Sequence, residues 1–233
     1  MSKDTNRGKS KVDWFTRWLA IAGLVTAIIA IIIPVLIQRY DDQERLSIWM
    51  RTNPGGYILV PDSIANSNVV QVPWLFTLSN VSKITLSITG FNVTQIQEGG
   101  RMKFSHMTNA FRNADDSDLI LPITLSSGES KTIKLHIGFE SNQKVLELLT
   151  RLHTDTGAFT HNESFKYLAK QELTMYGGTA ERQDYPEGGI KISVNSEFWQ
   201  QEPIYQVDFF TGRGSTFYVQ GSDTMSRFSG PDY

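Results

Sequence analysis

Cysteine is absent from all 233 residues, which removes disulfides, thiolate metal sites and a cysteine nucleophile together. Histidine is scarce. His106, His136, His153 and His161 are the only four, and no two stand four apart beside a glutamate, the spacing a zinc hydrolase needs. An excess of one charge is missing too: 22 Lys and Arg face 24 Asp and Glu. No basic stripe is interleaved with aromatics, so nucleic acid is not an expected partner. No serine sits in a Gly-x-Ser-x-Gly elbow. Arg7, Gly8, Lys9 and Ser10 repeat the end of a phosphate-binding loop, but Lys3 stands where its first glycine belongs. These gaps leave no catalytic residue, metal ligand or cofactor to assign.

Ionisable groups are also missing from one long stretch, Trp18 to Ile37, which reads WLAIAGLVTAIIAIIIPVLI. A bilayer core of about 30 Å needs roughly 20 apolar residues in a helix. The run is therefore expected to cross a membrane once. A signal peptide has a shorter apolar core and a small-residue cleavage site, and Pro34 to Tyr40 supplies no such site. Lys3, Arg7, Lys9, Lys11 and Arg17 precede the span against Asp4 and Asp13, whereas after it Arg39 and Arg45 face Asp41, Asp42 and Glu44. That bias places residues 1–17 in the cytoplasm as a basic tail, residues 18–38 in the membrane and the C-terminal domain in a periplasm or at a cell surface. Trp14, Arg17, Trp18 and Tyr40 are the expected interface anchors. Ala20, Gly23, Ala27 and Ala30 align as a stripe of small side chains, a face on which a second copy of the helix can pack. With no ionisable group inside, the span does not read as an ion path.

Residues 39–52 read as a juxtamembrane segment, and the remainder is long enough for one sizeable domain or two small ones. Val72, Trp74, Phe76 and Leu78 alternate with Pro73, Leu75, Thr77 and Ser79, and after Asn80 to Lys83 the alternation resumes at Ile84, Leu86 and Ile88. This period of two predicts strands, joined as a hairpin. A second hairpin is expected around Ser126, Ser127 and Gly128, with Ile133, Leu135, Ile137 and Phe139 forming its apolar face and His136 its solvent face. Glu98 to Ser117 reads as a projecting loop. Asp115, Asp116 and Asp118 lack the glycine and glutamate of a calcium loop, so a solvated acidic loop is expected.

Helical spacing follows. Val145, Leu146, Leu148, Leu149 and Leu152 share a face that Ser141 or Asn142 can cap, and a second helix is predicted over Glu163 to Tyr176, ended by Gly177 and Gly178. Strands return at Ile190 to Val194, and a hairpin is expected from Tyr205 to Val219 through Thr211 to Gly214. Residues 223–233 read as a flexible tail. Asn80, Asn92 and Asn162 each open an Asn-x-Ser/Thr sequence.

FTLSNVSKITLSITGFNV followed by LPITLSSGESKTIKLHIGF resembles the immunoglobulin-like β-sandwiches of bacterial envelope proteins, including PapD-like modules, over roughly Val69 to Phe139. The resemblance implies an immunoglobulin-like sandwich over residues 53–140. The chain departs from a plain sandwich where the helical segments fall after Phe139, so the expected fold is mainly β with helical additions (α+β), residues 141–222 completing the domain or forming a second unit. The expected function is binding or scaffolding, as an accessory or sensor subunit of an envelope complex. Its expected partners are the lipid bilayer, another protein and, through the stripe, the chain itself. Two alternatives stand beside it: a membrane-anchored hydrolase of an envelope polymer, and a cytoplasmic sensor or membrane effector of reversed topology, as in a defence system.

Overall fold

The computed structural model describes residues 7–61, 67–97, 100–103, 111–186, 190–194, 202–223 and 227–229. They form two compact units, the N-terminal helix with Ser82–Ile84, and Glu44–Val81 with Thr85–Tyr233. In the first, α1 spans Arg7–Asp41 and continues through Pro34. Its segment Trp14–Asp41 is the one helix among the described residues long and apolar enough to cross a membrane. Leu24, Ile31 and Leu36 are exposed along it. Hydrocarbon is the solvent that would compensate such exposure.

The second unit is mainly β. Its strands are β1 (Leu46–Thr52), β2 (Val69–Asn80), β3 (Leu86–Gln97), β4 (Gly100–Lys103), β5 (Arg112–Asn113), β6 (Ile123–Leu125) and β7 (Ser130–Glu140). Helices α2 (Gln143–Thr156) and α3 (His161–Ala169) follow, then β8 (Ala180–Asp184), β9 (Ile190–Val194), β10 (Ile204–Thr211), β11 (Thr216–Gly221) and β12 (Arg227–Ser229). One sheet runs β12-β1-β2-β7-β5, a second runs β11-β10-β3-β4 with β6 also on β3, and β8-β9 form a separate ribbon.

Period-two burial produces a single core between the two large sheets. Ile48, Trp74, Phe76, Ile133 and Leu135 enter it from one, and Leu86, Ile88, Tyr205, Val207 and Phe209 from the other. Trp74 meets Tyr205 edge-on at 5.8 Å and Phe76 meets Phe209 at 5.7 Å, separations at which aromatic quadrupoles attract. The parity of β3 changes partway along: Phe210 pairs with Gly90 while Thr211 pairs with Ile88. Thr89 is thus the extra residue of a bulge, which keeps both Ile88 and Phe91 turned toward the core side.

Several expectations change. β2 and β3 are not a hairpin, because β2 pairs with β1 and β7 while β3 pairs with β10, β4 and β6. The same applies to β6 and β7, which lie in different sheets. Residues 39–52 are more than a juxtamembrane linker: β1 lies between β12 and β2 and buries Leu46, Ile48 and Met50. Part of the supposed tail is structured, since Arg227–Ser229 is β12, paired with Met50 to Ile48. β10 and β11 form the expected hairpin, and the pairing of β10 with β3 puts them in the same unit as the preceding strands.

The insertion between β7 and β10 is built on two caps. Asn142 Oδ1 accepts from Val145 N at 2.9 Å at the start of α2. Thr160 and Glu163 form a reciprocal capping box on α3, so α3 begins at His161 and ends before the predicted Tyr176. Two further N–H groups at its start, on His161 and Asn162, donate to Gly56 O and Pro54 O. Those carbonyls belong to a strap, residues 53–60, that returns to pair with β2 beyond the end of β1. Leu59 exchanges two 2.9 Å bonds with Gln71, and Gly56 packs so closely on Pro73 that a Cβ would lie 2.7 Å from its ring.

Candidate functional site

Under that strap is a cleft of about 270 Å³ lined by Tyr57, Leu59, Arg112, Asp116, Lys134 and His136. Alternation on β7 explains its floor. Ile133, Leu135 and Ile137 point into the core, so Lys134 and His136 point out of the other face. There β5 supplies Arg112, directly opposite Lys134, and the turn after β5 supplies Asp116.

The geometry is that of a desolvated cation. The Lys134 side chain is 6% exposed, and its ammonium lies 2.6 Å from Asp116 Oδ1, whose side chain is 54% exposed. Arg112 Nη1 donates to the Asp116 carbonyl at 2.9 Å, and its Nη2 stands 3.9 Å from Asp118. Asp116 itself has φ 68°, in the left-handed region. Short polar side chains visit it more readily than most, at some cost. Asp115 turns inward to its own loop, accepting from the Ser117 N–H and hydroxyl, and these bonds hold its carboxyl below the usual range.

His136, expected to face solvent, is instead buried at 9% exposure. The covering strap comes from residues nearly 80 positions earlier, which no local periodicity reveals. Its Nε2 lies 3.1 Å from Tyr57 O. A carbonyl only accepts, so Nε2 carries the hydrogen. Burial pushes the imidazole below its ordinary value, opposed by the Tyr57 carbonyl, and the Lys134 charge pushes the same way as burial.

A wider groove, about 900 Å³, separates the end of α3 from the β8-β9 ribbon and is lined in part by Lys144, Lys170, Glu172, Glu181 and Arg182. Arg182 is clamped to Asp184 by Nε at 2.7 Å and Nη2 at 2.6 Å.

The remaining titratable cluster is interior. His161 Nε2 lies 3.0 Å from Asp223 Oδ2, and the Tyr176 hydroxyl donates to the same oxygen at 3.0 Å. The His161 and Asp223 side chains are 9% and 5% exposed. Burial, with Asp223 and Glu202 nearby, pushes the hydroxyls of Tyr176 and Tyr205 well above their ordinary value. This cluster ties α3, the loop after it and the C-terminal segment together behind a closed surface. Composition hid it, because Asp223 lies in a Ser-, Gly- and Asp-rich stretch.

The other expected sites are dispersed. Ala20, Gly23, Ala27 and Ala30 lie on α1, where nothing stands within 4 Å of a Cβ at Gly23. Trp14 and Trp18 touch edge-on at 6.0 Å, and with Arg17 and Tyr40 they are exposed on the same helix. His106 and part of the loop from Glu98 lie outside the described residues. His153 packs against Phe159, while His161 is engaged by Asp223. Asn80 is buried, donating from Nδ2 to Leu125 O and Ser126 O, whereas Asn162 is exposed. Among the described residues no group of three His, Asp or Glu is placed to hold a metal.

No protein-family model, curated protein or solved structure matches the chain.

Proposed function

We propose that the chain is a single-pass membrane-anchored binding module whose β domain is immunoglobulin-like and lies outside the cytoplasmic membrane. One observation carries the anchoring: a 28-residue apolar helix, none of whose apolar stretch is buried, precedes a domain with a complete core of its own. Strand order supports the sandwich. β1-β2-β7-β5 follow the order A-B-E-D, and β3-β10-β11 the order C-F-G, of an immunoglobulin constant-type domain. β12, β4 and β6 are additions, and the helices occupy the E–F connection. Where antibody domains join strands B and F by a disulfide, this cysteine-free chain sets Trp74 against Tyr205 and Phe76 against Phe209.

Binding rather than catalysis is the reading that this surface supports. The cleft beside the strap is a pocket of fixed charges with an apolar lip, and its buried histidine is hydrogen-bonded to the Tyr57 backbone carbonyl. A protein partner in an envelope complex fits that chemistry. Protease shaving of intact cells tests the topology: digestion of the β domain is expected, and full protection would overturn it in favour of a cytoplasmic domain. Affinity purification from solubilised membranes should recover a stoichiometric partner.

A further inference from the structure

We propose that the cleft of Tyr57, Arg112, Lys134 and His136 receives a carboxylate side chain from the protein partner, and that Asp116 occupies it in competition from within the chain. The proposal rests on reading the chain as a binding module and adds the chemistry that this site selects.

Lys134 carries the argument. Its ammonium has three N–H donors, is almost wholly removed from water, and has Asp116 as its ion-pair partner. Arg112 stands across the ladder with five donors, one given to the Asp116 carbonyl and another no closer than 3.9 Å to Asp118. Two cations therefore face a space of about 270 Å³, enough for one side chain. His136 adds no carboxylate and no competing acceptor at Nε2, which is given to Tyr57 O. Around the mouth, Tyr57 and Leu59 are 55% and 39% exposed, an apolar lip suited to the methylenes of an incoming acidic residue or to its neighbour.

Asp116 shows the site already in use by a carboxylate. Its side chain is half-exposed, within reach of solvent, and its backbone sits at φ 68°. An incoming carboxylate can share the ammonium or take the place of the Asp116 carboxylate on it.

The test uses the full chain in detergent micelles and acetyl-glutamate amide, whose only charge is a side-chain carboxylate, with acetyl-glutamine amide as the neutral control. Saturable binding of the glutamate compound alone is expected by equilibrium dialysis. Asp116→Asn keeps a residue tolerant of positive φ but removes the internal competitor, and should tighten binding about fivefold, the upper range for a partly exposed ion pair. Lys134→Met should abolish binding; if circular dichroism shows that variant unfolded, Arg112→Gln, at a half-exposed position, should weaken it instead. Equal binding of the two amides, or no tightening in Asp116→Asn, would overturn the proposal. So would inorganic phosphate displacing the glutamate compound more strongly than acetate does, because the site would then select a tetrahedral anion. Neither topology nor partner capture enters the measurement, so its failure would leave the shaving and purification results standing, and theirs would leave it standing.

Discussion

His161 and Asp223, 62 residues apart in sequence, meet at 3.0 Å with both side chains buried, and the Tyr176 hydroxyl shares the same carboxylate oxygen. Removing the carboxylate strands two buried groups, the His161 ring and the Tyr176 hydroxyl, without water. Asp223→Ala should therefore destabilise the domain by about 3 kcal/mol, measured by urea unfolding of the full chain in detergent. If α3 docked through its apolar face alone, the loss would stay below about 1 kcal/mol.

Gly177, at φ 85°, leaves the space that the Asn142 amide occupies, and a Cβ there would fall on that amide nitrogen. Asn142 caps α2 through its other side-chain atom, Oδ1. Gly177→Ala should cost about 2 kcal/mol through strain and a displaced cap, and Asn142→Ala about 1 kcal/mol. Because the two act on one contact, the double variant should lose less than the sum. A double-mutant cycle by thermal unfolding checks this.

Acid should weaken the domain through His136. Its folded value lies below the ordinary 6.5, so between the two values the unfolded chain binds more protons than the folded one. Stability therefore rises with pH in that window. It is unaffected by this group above 6.5, declines as pH falls below it, and stops declining once the folded value is passed. His136→Gln keeps a donor for Tyr57 O and should flatten that part of the stability profile; an unchanged slope would assign it to other groups.

Asn80 gives two N–H bonds to the backbone at Leu125 and Ser126, linking the end of β2 to the turn before β7. Asn80→Asp turns a donor into an acceptor facing two carbonyls, and a loss of about 2 kcal/mol is expected. The same burial predicts that Asn80 stays unmodified in any glycosylating host while Asn162 is accessible, which mass spectrometry of peptides would show.

Local rules proved readable where the physics is local. The Asn142 cap, the turn at Thr211 to Gly214 and the alternating faces of β2 and β7 each follow from residues within a few positions. Pairing partners did not, because a period of two fixes which face is buried but not which strand lies alongside. Asn80 to Lys83 looks like a hairpin turn yet carries the chain into the other sheet. β1 was legible in the alternation of Leu46, Ile48 and Met50 and was obscured by the apolar helix before it. The cleft draws on residues 57, 112, 116, 134 and 136, from strap, edge strand, turn and central strand. Of these, only Asp116 and His136 carry a sequence pattern that draws notice, and both were expected to face water.

β1 follows α1 within five residues and is hydrogen-bonded on both sides, to β12 and to β2. A pull along β1 from its helix end therefore loads two antiparallel ladders at once. Because β12 runs back toward the start of β1, the last of the described strands acts as a mechanical clamp on the first. Loss of Arg227–Ser229 should lower the force at which β1 is drawn out of the sheet, even where resting stability changes little.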